Sequence, residues 1–303
     1  MTRNIIANVL FVVASIICGL IVTASVIIAF YVPKYVIDKD TVEPSAEVSE
    51  EITIMSSNVR FYNPMDLFKK SWFYRASLLT EDLDAVKPDI VGFQEATFLH
   101  YNRLKKVLPD YDSVMGYRDD FFLSEGCPIF YRTDKFEKVA SGSFWLSETP
   151  EVMSKDWGSD HYRICIYVVL KEISTGKQFI VFNTHLDNVS EEARINGIKV
   201  ILNKISEFGN LPSFLMGDMN DEPGSVTINS ALESFADSAR LAGVTEDAPT
   251  YHAWGDEAKL KRLDYILTSK DGVEVSEYKV YDNLHDEVYS SDHYPIYIKA
   301  KLK

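Results

Sequence analysis

Between Asn4 and Pro33 the chain carries no charged residue, and residues 5–32 are almost wholly apolar. About 20 such residues let a helix cross a hydrocarbon core roughly 30 Å thick. The pattern therefore predicts a transmembrane helix over 5–32 behind a short tail, 1–4. A cleaved secretory signal would carry an apolar core of about 7–15 residues and a small-x-small site. Tyr31-Val32-Pro33 offers no such site, so a retained single-pass membrane anchor is expected. Its orientation is unspecified, because Arg3 and the amino terminus oppose Lys34 and Lys39. Residues 33–51 follow as an acidic linker: DKDTVEPSAEVSEE is polar and contains a proline.

From residue 52 short β-rich runs alternate with helical stretches. Strands are expected at 52–59, 90–94, 128–132, 144–147, 164–170, 179–183, 213–216, 263–267, 274–281 and 294–302. Helices are expected at 67–86, 97–107, 190–208 and 226–235, the third with Ile198, Ile201, Ile205 and Phe208 on one face. Runs such as RICIYVVL and QFIVFN are apolar on both faces of a strand, which implies burial on both sides. Stacked sheets covered by outer helices satisfy that requirement, and 52–303 reads as one domain.

Composition adds two constraints. An apolar fraction of 46% supports a full core, and a net charge of −14 repels polyanions at long range. The charge weighs against a binder that neutralises many phosphates, while leaving room for a small basic subsite. Cys127 and Cys165 lie in apolar strand-like runs and are expected as buried free thiols.

Polar clusters terminate the apolar runs: SSNVR at 56–60, GFQE at 92–95, NTHLD at 183–187, GDMND at 217–221, RLDY at 262–265 and SDHYP at 291–295. Six such endings suggest one pocket built from strand termini. Hard oxygen donors with few nitrogens suit Mg²⁺ or Mn²⁺. Asp218 and Asn220 are two apart and share a face, whereas adjacent Asp292 and His293 diverge. Asp264 is a candidate to orient a histidine. Asp187 is read equally as a site residue and a helix start, Asp221 and Glu222 as turn residues, and Trp145 as core. His100, His161 and His285 are left as surface or packing residues.

In this order NVR, GFQE, PIFYR, FWLSETP, NTHLD, EEAR, GDMND, TYH, RLDY and SDHYPI resemble the endonuclease/exonuclease/phosphatase superfamily, across about 52–303. The resemblance implies an α/β (α+β) fold: a four-layer α/β/β/α sandwich of two packed mixed sheets with the site at one edge. It implies that Asn58, Glu95 and Asp292 hold or organise a divalent metal, and that Asp218 and Asn220 position or activate water. Asp264 and His293 resemble the carboxylate–histidine dyad, His185 the second histidine, and Glu125 the partner of His185. Arg163 resembles a phosphate-contacting arginine, and His252 is a candidate substrate contact.

The implied activity is Mg²⁺- or Mn²⁺-dependent phosphodiester hydrolysis by in-line water attack. The substrate would be nucleic acid, a lipid head group or a small phosphodiester, and no protein partner is expected. The alternatives are a membrane-tethered phosphomonoesterase, a sphingomyelinase-like lipid hydrolase, or a binding module that has lost turnover. A lost activity would show as a missing carboxylate or histidine, and every motif position is filled.

Overall fold

The computed structural model describes residues 2–32, 41–45 and 49–303. Helix α1 spans Thr2–Val32, and its Asn8–Val26 segment is long and apolar enough to cross a membrane by length and composition. Of the expected linker, 33–40 and 46–48 lie outside the described residues. The part that is described reaches further into the domain than its composition suggests. Val42 is fully buried, and its N–H donates to the Val107 carbonyl.

The strands, in chain order, are β1 Ile52–Asn58, β2 Ile90–Gln94, β3 Tyr111–Val114, β4 Ile129–Arg132, β5 Phe136–Trp145, β6 Ile164–Glu172 and β7 Gln178–His185. They continue as β8 Ser213–Asp218, β9 Phe235–Asp237, β10 Asp264–Ser269, β11 Val273–Val280, β12 Leu284–His285, β13 Val288–Tyr289 and β14 Ile296–Leu302. The helices after α1 are α2 Trp72–Val86, α3 Phe98–Val107, α4 Glu191–Ser206, α5 Val226–Ser234 and α6 Ser238–Leu241. One sheet has the order β11-β14-β1-β2-β4-β3 and the other β5-β6-β7-β8-β10-β9. The pairs β1–β2 and β7–β8 are parallel and their neighbours antiparallel, so both sheets are mixed.

Alternation along the strands builds the layers. Ile54 of β1 faces the space between the sheets, where it joins Ile90, Val181, Phe214 and Ile266, whereas Met55 faces outward against Trp72, Leu79 and Leu83 of α2. Phe182 and Leu215 face out of the second sheet against Ile198 and Ile201 of α4. The result is the expected α/β/β/α sandwich. A buried polar tie joins the two sheets. Asn183 Nδ2 donates to the carbonyls of Phe93 (2.8 Å), Cys127 (3.1 Å) and Pro128 (3.1 Å), and its Oδ1 accepts from Gln94 Nε2 at 2.7 Å. Cys127 and Cys165 are buried free thiols.

Local departures have physical causes. The helix expected from 67 begins at Trp72, after a single 3₁₀ turn at Phe68–Lys70. β5 begins eight residues before the strand expected at 144–147, because most of its side chains are exposed and give no apolar alternation. Gly217 has φ 141°, and a Cβ there would lie 1.9 Å from the Thr184 carbonyl oxygen, so only glycine lets β8 approach β7.

Candidate active site

Strand register assembles the site. His185, Asp218 and Asp264 stand in one row across β7, β8 and β10. Neighbouring strands are about 4.8 Å apart, so a row places an imidazole and two carboxylates side by side. In the facing sheet Asn58 stands opposite Gln94, and Glu95 follows directly. Asp292 and His293 precede β14 and come in beside them. Together these groups meet at a cleft of about 550 Å³ whose lining includes Glu95, His185, Asp218, Asn220, Asp292 and His293.

Hydrogen bonds fix the geometry. Asn58 Nδ2 donates to Glu95 Oε1 (3.2 Å) and Asp218 Oδ2 (3.0 Å), while its Oδ1 accepts from the Arg60 N–H. Asn58 therefore organises two carboxylates from beneath. Glu95 takes a left-handed φ of 62°, and its Oε2 accepts from the Phe61 N–H at 2.6 Å. The Asn220 N–H donates to Asp218 Oδ1 (2.9 Å), and its Nδ2 donates to the Leu186 carbonyl (3.0 Å). His293 Nδ1 meets Asp264 Oδ2 at 2.9 Å, and its Nε2 lies 3.7 Å from Asp218 Oδ2. The expected carboxylate–histidine dyad is thus formed, with Tyr251's ring 4.9 Å from His293.

The charges are strongly perturbed. Burial opposes protonation of His293, but Asp264, then Asp218 and Asp292, override it and raise the imidazole to about 10. Burial, reinforced by Asp264, raises the Asp218 carboxyl to about 7. His185 goes the other way: burial and the nearby cations Arg163 and Arg118 hold it well below the usual range, so it is neutral. Burial raises Asp292, with Glu95 adding to the effect and His293 opposing it.

Glu125 lines the cleft together with His185. Arg118 clamps it with two N–H···O contacts of 2.9 Å, because a buried carboxylate, raised to about 7 by burial and Glu95, needs a bidentate cation. His252 is fully buried, its ring 4.1 Å from Tyr289 and 4.2 Å from Tyr294, so it supports the wall and does not line the cleft. Arg163 does line it, donating to Asn188 Oδ1 at 2.9 Å. Asp187 is held by the N–H groups of Val189 and Ser190, and Ser190 caps α4. Asp221 pairs with Arg194, and Glu222 with Lys261.

The structure adds Arg60, Phe61, Arg118, His161, Asn188, Tyr251 and Lys261 to the cleft lining. Arg60 and Tyr251 lie inside quoted motifs, but Arg118 and His161 sit in loops without periodicity. Of the other histidines left aside, His100 is buried against Trp72 and His285 bonds Asp82. Trp145 is half-buried and donates to the Arg118 carbonyl, holding that loop.

Asp218, Asp264 and His293 place one ligand atom each within 4.8 Å of one another. His293 between two carboxylates is protonated, however, and an imidazolium has no lone pair for a metal. Glu95 and Asp292 provide oxygen donors, and both line the cleft. These groups fit a hard cation.

Two mixed sheets packed face to face, with an acid, imidazole and arginine cleft at their strand ends, define a phosphoester hydrolase of the deoxyribonuclease I-like class. The chain belongs to the Endonuclease/Exonuclease/phosphatase family, whose profile matches residues 55–293. Members are hydrolases acting on phosphoester bonds and are generally dependent on divalent metals. A family structure from Bacteroides vulgatus is 30% identical, with 84% of this chain and 99% of that chain covered and a TM-score of 0.79. A mannosyl-6-phosphatase of Bacteroides thetaiotaomicron is 30% identical over 82% of this chain and 99% of that one, with a TM-score of 0.75. The CCR4-Not complex 3'-5'-exoribonuclease subunit Ccr4 of Aspergillus niger is 23% identical over 256 residues. That alignment covers 64% of this chain and 38% of the relative.

Proposed function

We propose that this chain is a Mg²⁺- or Mn²⁺-dependent phosphodiesterase tethered to a membrane by α1. The observation that carries the reading is the meeting of Glu95, Asp218, Asp264, Asp292 and His293 with Arg60, Arg118, Arg163 and Lys261 around one cleft of an acidic protein. Arginines and lysine at the mouth draw in an anionic phosphoester; the carboxylates beneath activate water.

Each residue then has a task set by its protonation. Asp218, near 7, is the group able to accept a proton at neutral pH, and Asn58 and Asn220 hold its two oxygens in place. Water attacks phosphorus in line, its proton passes to Asp218, and the P–O bond to the leaving group breaks. His293, charged and held by Asp264, gives its Nε2 proton to the departing oxygen. Neutral His185 and Arg163 donate hydrogen bonds to the non-bridging oxygens. A bound divalent ion at Glu95 and Asp292, beside Asn58, supplies charge neutralisation for the phosphoryl oxygens.

A second reading is hydrolysis of a phosphomonoester. It is favoured by the likeness to a mannosyl-6-phosphatase. Turnover of bis-p-nitrophenyl phosphate, p-nitrophenyl phosphate and mannose 6-phosphate, each with Mg²⁺, Mn²⁺ and EDTA, separates these. Metal-dependent cleavage of the diester, abolished by Glu95→Ala, is expected. Cleavage of the monoesters alone selects the second reading, and folded protein without metal-dependent turnover would leave only a binding module.

A further inference from the structure

Two exposed apolar segments, the lips, follow cleft-lining residues in the chain. One follows the lining residues Arg60 and Phe61: Met65 is 79% exposed and Leu67 58%, with Lys69 and Lys70 next in sequence. The other follows the lining residue Arg118. There Phe121 is 69% and Phe122 77% exposed, and Phe122 packs on Phe98 with ring centroids 5.0 Å apart. Tyr117, Trp145 and Met153 extend the second lip as one groove. Single exposed apolar side chains are ordinary, but two clusters of them close in sequence to a polar cleft mark a contact surface.

We propose that these lips seat the cleft on the phospholipid bilayer that α1 spans, so that the phosphoester it cleaves is carried by a lipid head group. This deepens the phosphoesterase reading and rests on it. Three observations choose the bilayer. The described side chains of Asn8–Val26 are exposed, so α1 needs an apolar surrounding that the domain does not provide. The tether is short: α1 ends at Val32, and Val42 is already docked in the domain beside Val107. Ten residues reach at most roughly 35 Å. Val107 ends α3, whose first residue, Phe98, belongs to the second lip. The helix rises about 15 Å between them, so the tether, although Ser45 docks on Arg132 at the end of the sheet away from the cleft, is long enough to let the lips touch the membrane. Finally, Lys69 and Lys70 on one lip balance Asp119 and Asp120 on the other. Such a rim suits a zwitterionic head-group layer, whereas the net charge of −14 disfavours an anionic one.

The test uses the full chain in phosphatidylcholine vesicles. Cys18→Ser removes the exposed thiol, Cys127 and Cys165 being buried, and Met65→Cys or Phe122→Cys then carries a nitrobenzoxadiazole label. Doxyl-labelled lipid should quench both positions at least twofold, but not a label at Ile173→Cys, in the β6–β7 turn at the far end of the sheet. Quenching no greater than at Ile173 overturns the docking, as does a label response that follows protein concentration instead of lipid, which would indicate a second copy of the chain. In the same vesicles, now containing sphingomyelin and phosphoinositides, Phe121→Asp with Phe122→Asp should lower lipid hydrolysis at least tenfold and leave bis-p-nitrophenyl phosphate turnover unchanged. Wild-type protein that cleaves the soluble ester but no vesicle lipid overturns the lipid substrate. Loss of turnover on both by wild type instead sinks the phosphoesterase reading, while the quenching still decides the docking.

Discussion

Replacing Asp264 by asparagine keeps the shape of a buried side chain and removes its charge. An imidazole raised from 6.5 to about 10 has its protonated form favoured by on the order of 5 kcal/mol, at about 1.4 kcal/mol per tenfold. Asp264 is the largest of the favourable contributions. Without it burial prevails, and His293 becomes neutral at physiological pH. Stability should change little, because two effects oppose. A charge-assisted hydrogen bond of roughly 1.5–3 kcal/mol is lost, and the repulsion between Asp264 and Asp218, directly opposite across β8 and β10, is relieved. The melting temperature should therefore move by only a few degrees. Activity should not be spared: a positioned proton donor contributes about 10²–10⁴ in rate. Hydrolysis of bis-p-nitrophenyl phosphate with Mg²⁺ by Asp264→Asn should fall at least 100-fold at about pH 8. In the wild type His293 keeps its proton until the pH approaches its raised value. In the variant the proton is lost earlier, so the deficit should narrow toward about pH 6. A variant retaining more than a tenth of wild-type activity at about pH 8, or showing an unchanged deficit across that range, would refute the assignment of Asp264 to His293.

Asn183→Ala removes four hydrogen bonds between the sheets, each worth roughly 0.5–1.5 kcal/mol, so unfolding in urea should show a loss of about 3 kcal/mol. Gly217→Ala forces a Cβ against Thr184 at a φ foreign to alanine; a loss on the order of 3 kcal/mol and displacement of the adjacent Asp218 should appear as a lowered urea midpoint and greatly reduced turnover. His285, with Asp82 at 2.6 Å and Glu81 at 3.2 Å, is raised above its ordinary 6.5, chiefly by its bond to Asp82. Its contribution is fully present below about pH 6.5 and is lost as pH rises through the raised value; the wild-type melting temperature should fall across that interval, and His285→Gln should flatten the fall.

How far the site could be read from the chain depends on what each residue is attached to. A buried strand must end in polar residues where it meets water, so Asn58, Glu95, His185, Asp218, Asp264 and His293 announce themselves as interruptions of apolar runs. The parallel pairs β1–β2 and β7–β8 then bring their C-terminal ends to the same edge. Arg118 and His161 lie in loops, where neither period nor apolar contrast marks a functional side chain, and only the fold reveals that they face the cleft. Glu125 shows the same limit: its position follows from strand β4, but its contact with Arg118 depends on the path of the loop carrying that arginine. His252 shows the converse. Its motif neighbour Tyr251 reaches the cleft while His252 turns inward onto Tyr289 and Tyr294, since adjacent residues of an extended segment point to opposite faces. The edge strand β5 and the docked Val42 escaped for a thermodynamic reason. Where both faces of a segment are largely solvated, or a single residue is buried, no repeating hydrophobic signal exists to be read. The same logic applies to the lips: Phe121 and Phe122 break the rule that loop tips are polar, and an exposed apolar tip is stable in water only at a cost that a bilayer removes.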